Sequence, residues 1–337
     1  MATPHTWYYA QEPARIHLLN SVHPDATLVS WTAIGSELIN LFGNRVTSVK
    51  RIIFTVLVLL LISMTATSFA APKPDLWPLW AAHDPDSSET IDHGAWDAWL
   101  GRFVVISADG INRVAYARVA ADDRKALQAY IQSLAALDIS TYNRAEQFAY
   151  WVNLYNALTI DVVLEHYPVQ SIREIKSGLF SFGPWGMELI TIKGEALTLD
   201  DIEHRILRPI WQDARIHYAV NCASLGCPNL QRQAFTAANT ESLLETAARE
   251  FINHPRGAKV EDGRLVVSSI YDWFEEDFGG NDRGVIEHLK IYAETDLRRA
   301  LSNVDRISDD RYDWQLNGSL PQRQQAGKSG ADPHNPG

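Results

Sequence analysis

The chain has 337 residues, of which 41 are acidic and 30 are basic, so its formal net charge at neutral pH is −11. This length suits one large domain or two small ones. An acidic surface of this size repels phosphate backbones, which argues against nucleic acid as a partner.

Residues 46–70 have the pattern of a secretory signal peptide. A basic pair, Lys50-Arg51, precedes a mostly apolar run over residues 52–62, and small residues follow as far as Ala70. The run is shorter than the roughly 20 residues that a membrane-spanning helix needs. We therefore expect cleavage after Ala70, no stable membrane span afterwards, and a periplasmic or secreted protein.

Residues 1–45 precede this predicted signal peptide and show no sustained periodicity. Because a signal peptide should begin a chain, we interpret them as a mis-annotated upstream extension, with translation starting at Val46 or Val49. Loss of residues 1–70 would remove four basic and three acidic side chains and leave a net charge of −12.

The first half of the remaining chain predicts helices, a strand and a hairpin. The most apolar helix opens at Asn143 with a capping pattern and ends before Pro168. In chain order, the predicted elements are a helix over 91–104, a strand over 112–119, helices over 122–137 and 148–166, and a hairpin formed by 189–192 and 196–198.

The second half carries the cysteine segment. Its predicted elements are a helix over 202–211, a strand over 215–221 followed by the cysteine loop, a helix over 240–253, a hairpin around 261–263, a short helix after 269–272, a helix over 285–301 and a disordered tail over 317–337. The order predicts a helix-rich α+β single domain over 71–316 with a small antiparallel sheet.

Both cysteines of the chain lie in one short segment, Cys222 and Cys227, and three interpretations are open. An oxidising compartment favours a disulfide between them. A loop rich in backbone N–H groups, residues 223–226, suits an oxyanion and favours a catalytic Cys222 thiolate. A zinc site with His204 and His217 is the third, although the spacing is not a common zinc pattern.

The choice of a general base follows from strand parity. In a strand over 215–221, His217 and Cys222 point to opposite faces. We therefore predict that the base comes from the preceding helix, where His204 stands beside Glu203. A cysteine and a histidine oriented by a carboxylate are what nucleophilic catalysis needs. The alternative is that these two residues and Arg208 form a solvated ion-pair face.

Asn153 and Asn156 share one face of the most apolar helix. A buried amide without hydrogen bonds costs about 1–3 kcal/mol, so the two side chains either hold a neighbouring loop or line a polar pocket. We predict that Asn153 helps to orient the catalytic histidine. The predicted binding residues are Asn156, His217, Asn221, Ser224 and Cys227.

Several ordered motifs resemble one family. They are WVNLYNA at 151–157, LDDIEH at 199–204, RIHYAVNCAS at 215–224, GCP at 226–228 and YDWF at 271–274. Together they resemble the domain of unknown function 547 family over roughly 145–278. The resemblance implies an exported bacterial member and brings no agreed chemistry. Plant members keep a cysteine at the position of Cys222 but not at that of Cys227, which implies that Cys222 has the more general role.

The sequence therefore predicts a cysteine-dependent hydrolase or acyltransferase that acts on an amide or thioester. Cys222 is the predicted nucleophile, and the substrate is a small molecule or peptide-like, with no cofactor. The alternative is a non-catalytic envelope interaction module with a Cys222–Cys227 disulfide. A papain-like fold is disfavoured because the cysteine follows a predicted strand instead of opening a long helix. The oligomeric state is left open.

Overall fold

The computed structural model describes residues 72–176, 178 and 183–319. The predicted upstream extension over 1–45, the predicted signal peptide over 46–70, and positions 320–337 of the predicted tail lie outside the described residues. In the described part of the chain, every helix is too short or too polar to cross a membrane.

About half of the described chain is helical, and a π-helical segment at Asp201–Leu207 runs directly into an α-helix. Single turns of 3₁₀ helix lie between the longer elements, among them Pro78–Ala81 and Glu275–Phe278. The α-helices are α1 (Gly94–Phe103), α2 (Ala121–Ala135), α3 (Arg144–His166), α4 (Arg208–Trp211), α5 (Ile216–Ala219), α6 (Thr240–Ile252), α7 (Ile270–Trp273), α8 (Asp282–Tyr292) and α9 (Thr295–Leu301).

The strands are short and form three small sheets. The first two are antiparallel hairpins, β1 (Val104–Ile106) with β2 (Asn112–Val114) and β3 (Ile190–Ile192) with β4 (Glu195–Leu197). The third consists of β5 (Ala258–Glu261), β6 (Arg264–Ser268) and β7 (Ile307–Arg311), with β5 antiparallel and β7 parallel to β6. The predicted helix-rich α+β class is confirmed, whereas β1, β7 and the parallel pairing were not predicted.

The longest helix, α3, is the centre of the larger hydrophobic core. The side chain of Asn143 caps it by accepting hydrogen bonds from the backbone N–H groups of Ala145 and Glu146, as predicted. Every residue of the helix from Glu146 to Ile160 is buried, so this stretch is enclosed on all sides. A second core lies around α6, α7 and α8.

The prediction of a strand over 215–221 is wrong, because this segment forms α5. Asp213 starts the turn: its side chain accepts a hydrogen bond from the Arg215 N–H at 2.8 Å, and its carbonyl accepts one from Ile216. All four residues of α5 are buried. Because α5 is a helix, its side chains do not alternate between two faces. His217 and Cys222 therefore need not point to opposite sides.

The predicted helix over 285–301 is divided into α8 and α9. Ala293 leaves the helical conformation with φ −61° and ψ 137°. Asn253 serves the backbone at the break, since its side chain donates to the Tyr292 carbonyl and accepts from the Glu294 N–H.

Residues 317–319, which the sequence assigned to the disordered tail, belong to the fold. Asn317 is buried, and its side chain accepts a hydrogen bond from the Tyr116 hydroxyl and donates one to Asn221. Its backbone N–H donates to the carbonyl of Ala223. The C-terminal end of the described chain therefore lies against the cysteine loop.

Candidate functional site

Helix α3 holds one side of the cysteine loop, residues 221–228. Asn156 accepts a hydrogen bond from the Asn221 N–H at 2.8 Å and donates to the Ala219 carbonyl at 2.9 Å. Asn221 in turn accepts from the Ala223 N–H and donates to the Pro228 carbonyl. These groups are buried, so water is not available to replace the amide partners. Asn156 and Asn221 thus hold the loop backbone and do not line the cavity next to it.

The segment 312–317 covers the loop from the other side. The Leu225 N–H donates to the Gln315 carbonyl at 2.7 Å, and the Gly226 N–H donates to the Asp313 carbonyl at 2.8 Å. A Cβ atom at Gly226 would lie 2.7 Å from the Asp313 backbone nitrogen. Glycine is required here because the two backbones are in contact, and this contact brings Tyr312 over Cys222.

The Cys222 thiol has three hydrogen-bonding neighbours. Its Sγ lies 2.9 Å from the Tyr312 hydroxyl, 3.3 Å from the Ser224 hydroxyl and 3.1 Å from the Cys227 Sγ. Burial alone would raise the pKa of Cys222, but hydrogen bonds from these three groups outweigh it and lower the pKa below that of an ordinary thiol. Among the described residues, no histidine is a hydrogen-bond partner of this sulfur.

Cys227 is the opposite kind of thiol. It is buried, whereas Cys222 is partly exposed. Burial and the neighbouring Cys222 raise the pKa of Cys227 far above its usual range, although the Cys222 N–H donates to its Sγ at 3.0 Å. The pair therefore contains one thiol that ionises more readily than an ordinary cysteine and one that ionises less readily.

A buried group of charged residues lies beside the cysteines. His217 is placed between two carboxylates: its Nε2 is 2.7 Å from Asp277 Oδ2, and its Nδ1 is 3.5 Å from Glu203 Oε1. The Arg208 guanidinium donates from Nε to the same Asp277 oxygen at 2.6 Å. The His217 ring stacks on Phe274 with centroids 4.1 Å apart.

Both carboxylates of this group are ionised at neutral pH. Burial would raise the pKa of Glu203, but the adjacent histidines and Arg208 outweigh it and lower the pKa to about 2. Burial likewise opposes ionisation of Asp277, and hydrogen bonds from His217 and Arg208 hold its pKa well below its usual range. The interpretation of Glu203, His204 and Arg208 as a solvated face is wrong, since all three are buried.

His204 points away from the cysteines. Its Nδ1 lies 3.1 Å from Arg208 Nη1 and its Nε2 lies 3.7 Å from Asp200. Burial lowers the pKa of His204 to about 4. An arginine donor requires Nδ1 to be the acceptor, so the proton of the neutral ring is on Nε2. The predicted general base is thus a neutral histidine that does not contact Cys222.

A cavity of about 40 Å³ connects the reactive groups. Cys222, Cys227, Glu203 and His217 all line it, whereas His204 does not. The rest of its wall is mostly aromatic and includes Tyr312. A cavity of this size holds two or three water-sized groups, so it fits the reacting end of a substrate and not a whole peptide.

Two predicted roles differ from the contacts in the structure. Asn153 holds the backbone of Phe235, donating to its carbonyl at 2.7 Å and accepting from its N–H at 3.0 Å, so it does not orient a histidine. The N–H groups of the predicted oxyanion loop are also occupied at three positions, Ala223, Leu225 and Gly226. The hydroxyls of Ser224 and Tyr312 are the donors nearest the Cys222 sulfur.

The zinc interpretation has no support in the geometry. In the described ranges, no three His, Cys, Asp or Glu side chains are grouped so that they could hold a metal ion. His217 makes its contacts with carboxylates, and His204 lies outside the cavity.

Sequence reasoning missed both Tyr312 and Asp277. Tyr312 lies 90 residues from Cys222 along the chain. The YDWF motif at 271–274 precedes Asp277 closely and was the available signal. No local pattern points to Tyr312, because only the folding of the segment 312–317 onto the loop brings it there.

Residues 139–252 match the family described as "Protein of unknown function, DUF547". The match covers about a third of the chain, and the resemblance inferred from the motifs is confirmed over these residues. No curated protein and no solved structure matches the chain, so the papain-like similarity has no support. The family description assigns no chemistry.

Proposed function

For this member of a family without an assigned function, we propose a cysteine-dependent hydrolase or acyltransferase that acts on an amide or thioester. The observation that supports it most is that Cys222 and His217 line the same small cavity. A lowered pKa favours the nucleophilic thiolate of Cys222, and a histidine within the same cavity can serve the proton transfers that follow.

Cys222 attacks the carbonyl carbon as the thiolate. As the sulfur–carbon bond forms, the negative charge moves from sulfur to the carbonyl oxygen. When the carbonyl re-forms, the bond from its carbon to the leaving group breaks, which releases a thiolate from a thioester or, from an amide, an amine that takes a proton from water. The Tyr312 hydroxyl, 2.9 Å from the sulfur, is close enough to donate to the carbonyl oxygen, and the Ser224 hydroxyl orients it by donating to the Tyr312 oxygen at 2.9 Å. Burial raises the pKa of Tyr312 far above its usual range, so its hydroxyl remains a donor.

His217 takes the role of general base in place of His204. When Nε2 donates to Asp277, Nδ1 is the ring nitrogen left for proton transfer, beside Glu203 Oε1 at 3.5 Å. Nδ1 can then accept a proton from water or from an acyl-accepting group in the cavity. Glu203, with its pKa at about 2, is too weak a base and instead stabilises the imidazolium that forms.

We also propose that the protein acts outside the cytoplasm, as a periplasmic or secreted protein. Residues 46–70 support this through their basic pair, apolar run and small residues. An oxidising compartment supports the second candidate as well, a non-catalytic envelope module with a Cys222–Cys227 disulfide. The two sulfurs lie 3.1 Å apart, which is close enough to support this disulfide.

The test uses the reduced full chain and a short-chain acyl thioester that releases a chromogenic thiol. We expect an acyl adduct on Cys222 by peptide mapping, together with catalytic thiol release. Cys222→Ser should abolish both, and Cys227→Ser, the matched control, should keep both. Equal thiol release by the wild type and Cys222→Ser would contradict the proposal and favour the binding module.

The same assay separates the two histidines. His217→Asn should leave acylation of Cys222 intact and slow deacylation by about 10²–10⁴-fold, the usual contribution of a general base, so that the adduct accumulates. His204→Asn keeps an acceptor for Arg208 and should deacylate at nearly the wild-type rate. The reverse pattern would assign the base to His204.

A further inference from the structure

Cys227 lines the cavity and contacts the Cys222 sulfur, but it forms and breaks no bond in the acyl-transfer mechanism. We infer that Cys222 and Cys227 form a peroxide-reducing dithiol pair: Cys222 is oxidised by a small hydroperoxide, and Cys227 resolves the product as a disulfide. This activity uses the same nucleophile as the proposed function and does not depend on acyl transfer.

The distance between the two sulfurs supports direct resolution. They lie 3.1 Å apart, and a disulfide has an S–S distance of about 2.05 Å, so closure needs an approach of about 1 Å. Many dithiol couples need a loop to unfold before the second thiol can reach the first. Here both side chains already face one cavity on the same loop.

The two thiols also differ in exposure and in pKa, as a peroxide-reducing pair requires. Cys222 is partly exposed and Cys227 is buried, so an oxidant entering the cavity meets Cys222 first. The Tyr312 and Ser224 hydroxyls hold the Cys222 thiolate, and oxidation by peroxides follows thiolate character and exposure. The raised pKa of Cys227 keeps it as a thiol until Cys222 has been oxidised.

The cavity suits a peroxide better than a bulky oxidant. Its volume of about 40 Å³ accommodates two or three water-sized groups, and hydrogen peroxide has two heavy atoms. The Tyr312 hydroxyl, 2.9 Å from the reacting sulfur, can donate to the oxygen that leaves.

The reaction balances in two steps. In the first, the Cys222 thiolate attacks one peroxide oxygen, the S–O bond forms and the O–O bond breaks; the leaving oxygen takes a proton and departs as water, or as an alcohol from an alkyl hydroperoxide. Sulfur is oxidised by two electrons and the peroxide is reduced. In the second, Cys227 attacks the sulfenic sulfur, the S–S bond forms, and the sulfenic oxygen leaves as water with the Cys227 proton. An external dithiol then reduces the disulfide.

The test begins with the fully reduced chain under anaerobic conditions and hydrogen peroxide as the probe. One equivalent of peroxide should convert two titratable thiols to none and lower the intact mass by two hydrogens, with a peptide map that joins Cys222 to Cys227. Cys222→Ser should not consume peroxide. Cys227→Ser should stop at the sulfenic acid, which dimedone traps on Cys222.

Three outcomes would overturn the inference: two thiols that survive excess peroxide, a sulfinic acid that builds up equally fast in the wild type and in Cys227→Ser, or a disulfide between chains. Circular dichroism and thermal unfolding of Cys227→Ser and Cys227→Ala check that the variants fold. The two proposals fail separately, since acylation of Cys222 by the thioester in the reduced Cys227→Ser variant does not require the second thiol.

Discussion

One carboxylate oxygen, Asp277 Oδ2, supports two buried cations or potential cations. It accepts from Arg208 at 2.6 Å and from His217 at 2.7 Å. Arg208 also donates to the Pro72 carbonyl, but Asp277 is the carboxylate with which it forms an ion pair. Removal of a buried charge from such a pair leaves its partner without compensation, which is far more costly than loss of a surface pair.

We therefore expect Asp277→Asn to lower the free energy of unfolding by about 3 kcal/mol and to slow deacylation, because the amide no longer holds the proton of His217 on Nε2. Denaturant unfolding measures the first effect. The neighbouring Glu276→Gln is the matched control: its exposed pair with Lys73 contributes less than about 1 kcal/mol. Equal losses in the two variants would contradict this account of Asp277.

At the scale of elements, α3 holds two separate loops with two asparagines one turn apart. Asn153 serves both backbone groups of Phe235, and Asn156 serves Ala219 and Asn221. Each asparagine donates one hydrogen bond to a backbone carbonyl and accepts one from a backbone N–H, but only Asn156 contacts the cysteine loop. The pair therefore offers a comparison in which the stability effects cancel.

Asn156→Ala and Asn153→Ala should each destabilise the fold by about 2–5 kcal/mol, since each leaves two buried backbone groups unpaired. Only Asn156→Ala should release the cysteine loop and expose Cys227 to alkylation under native conditions. Timed alkylation with mass spectrometry measures this. If Cys227 becomes reactive to the same extent in both variants, general loosening is the cause and the specific role of Asn156 is wrong.

The sequence predicted the elements whose signals are local. Asn143 marked the start of α3, the Lys193-Gly194 turn marked a hairpin, and the unbroken apolar helix marked the core. It failed at α5, where burial on all sides removes any difference between alternating and helical patterns. The site divides in the same way: motifs pointed to Cys222 and Glu203, but Tyr312 reaches Cys222 only through the tertiary docking of a distant segment.

At the scale of the whole molecule, the fold buries several histidines in their neutral form, and low pH therefore destabilises it. Burial lowers the pKa of His93, His204 and His288 to about 4 each. Above the ordinary histidine pKa of 6.5, these rings are neutral in both the folded and the unfolded chain and contribute nothing to the pH dependence. Below it, the unfolded chain binds protons that the folded chain does not, so stability falls as the pH drops from 6.5 to about 4.

Glu203 extends this loss to lower pH. Its pKa of about 2 in the fold lies below the ordinary 4.5, so its contribution is complete above pH 4.5 and is lost as the pH falls toward 2. We expect the free energy of unfolding to decline already below pH 6.5, by about 1.4 kcal/mol per pH unit for each proton taken up. Denaturant titrations between pH 4 and 8 measure the slope.

A single variant tests whether His204 contributes to that slope. His204→Asn keeps an acceptor for Arg208 but cannot be protonated, so proton uptake on unfolding at pH 5 should fall by nearly one. His83→Gln, which changes an exposed histidine, should leave the slope close to that of the wild type. A slope that is unchanged in His204→Asn would mean that His204 is already protonated in the fold. The buried charges around Asp277 and Glu203 would then need a cationic His204 for their balance, and the neutral ring inferred from its Arg208 contact would be wrong.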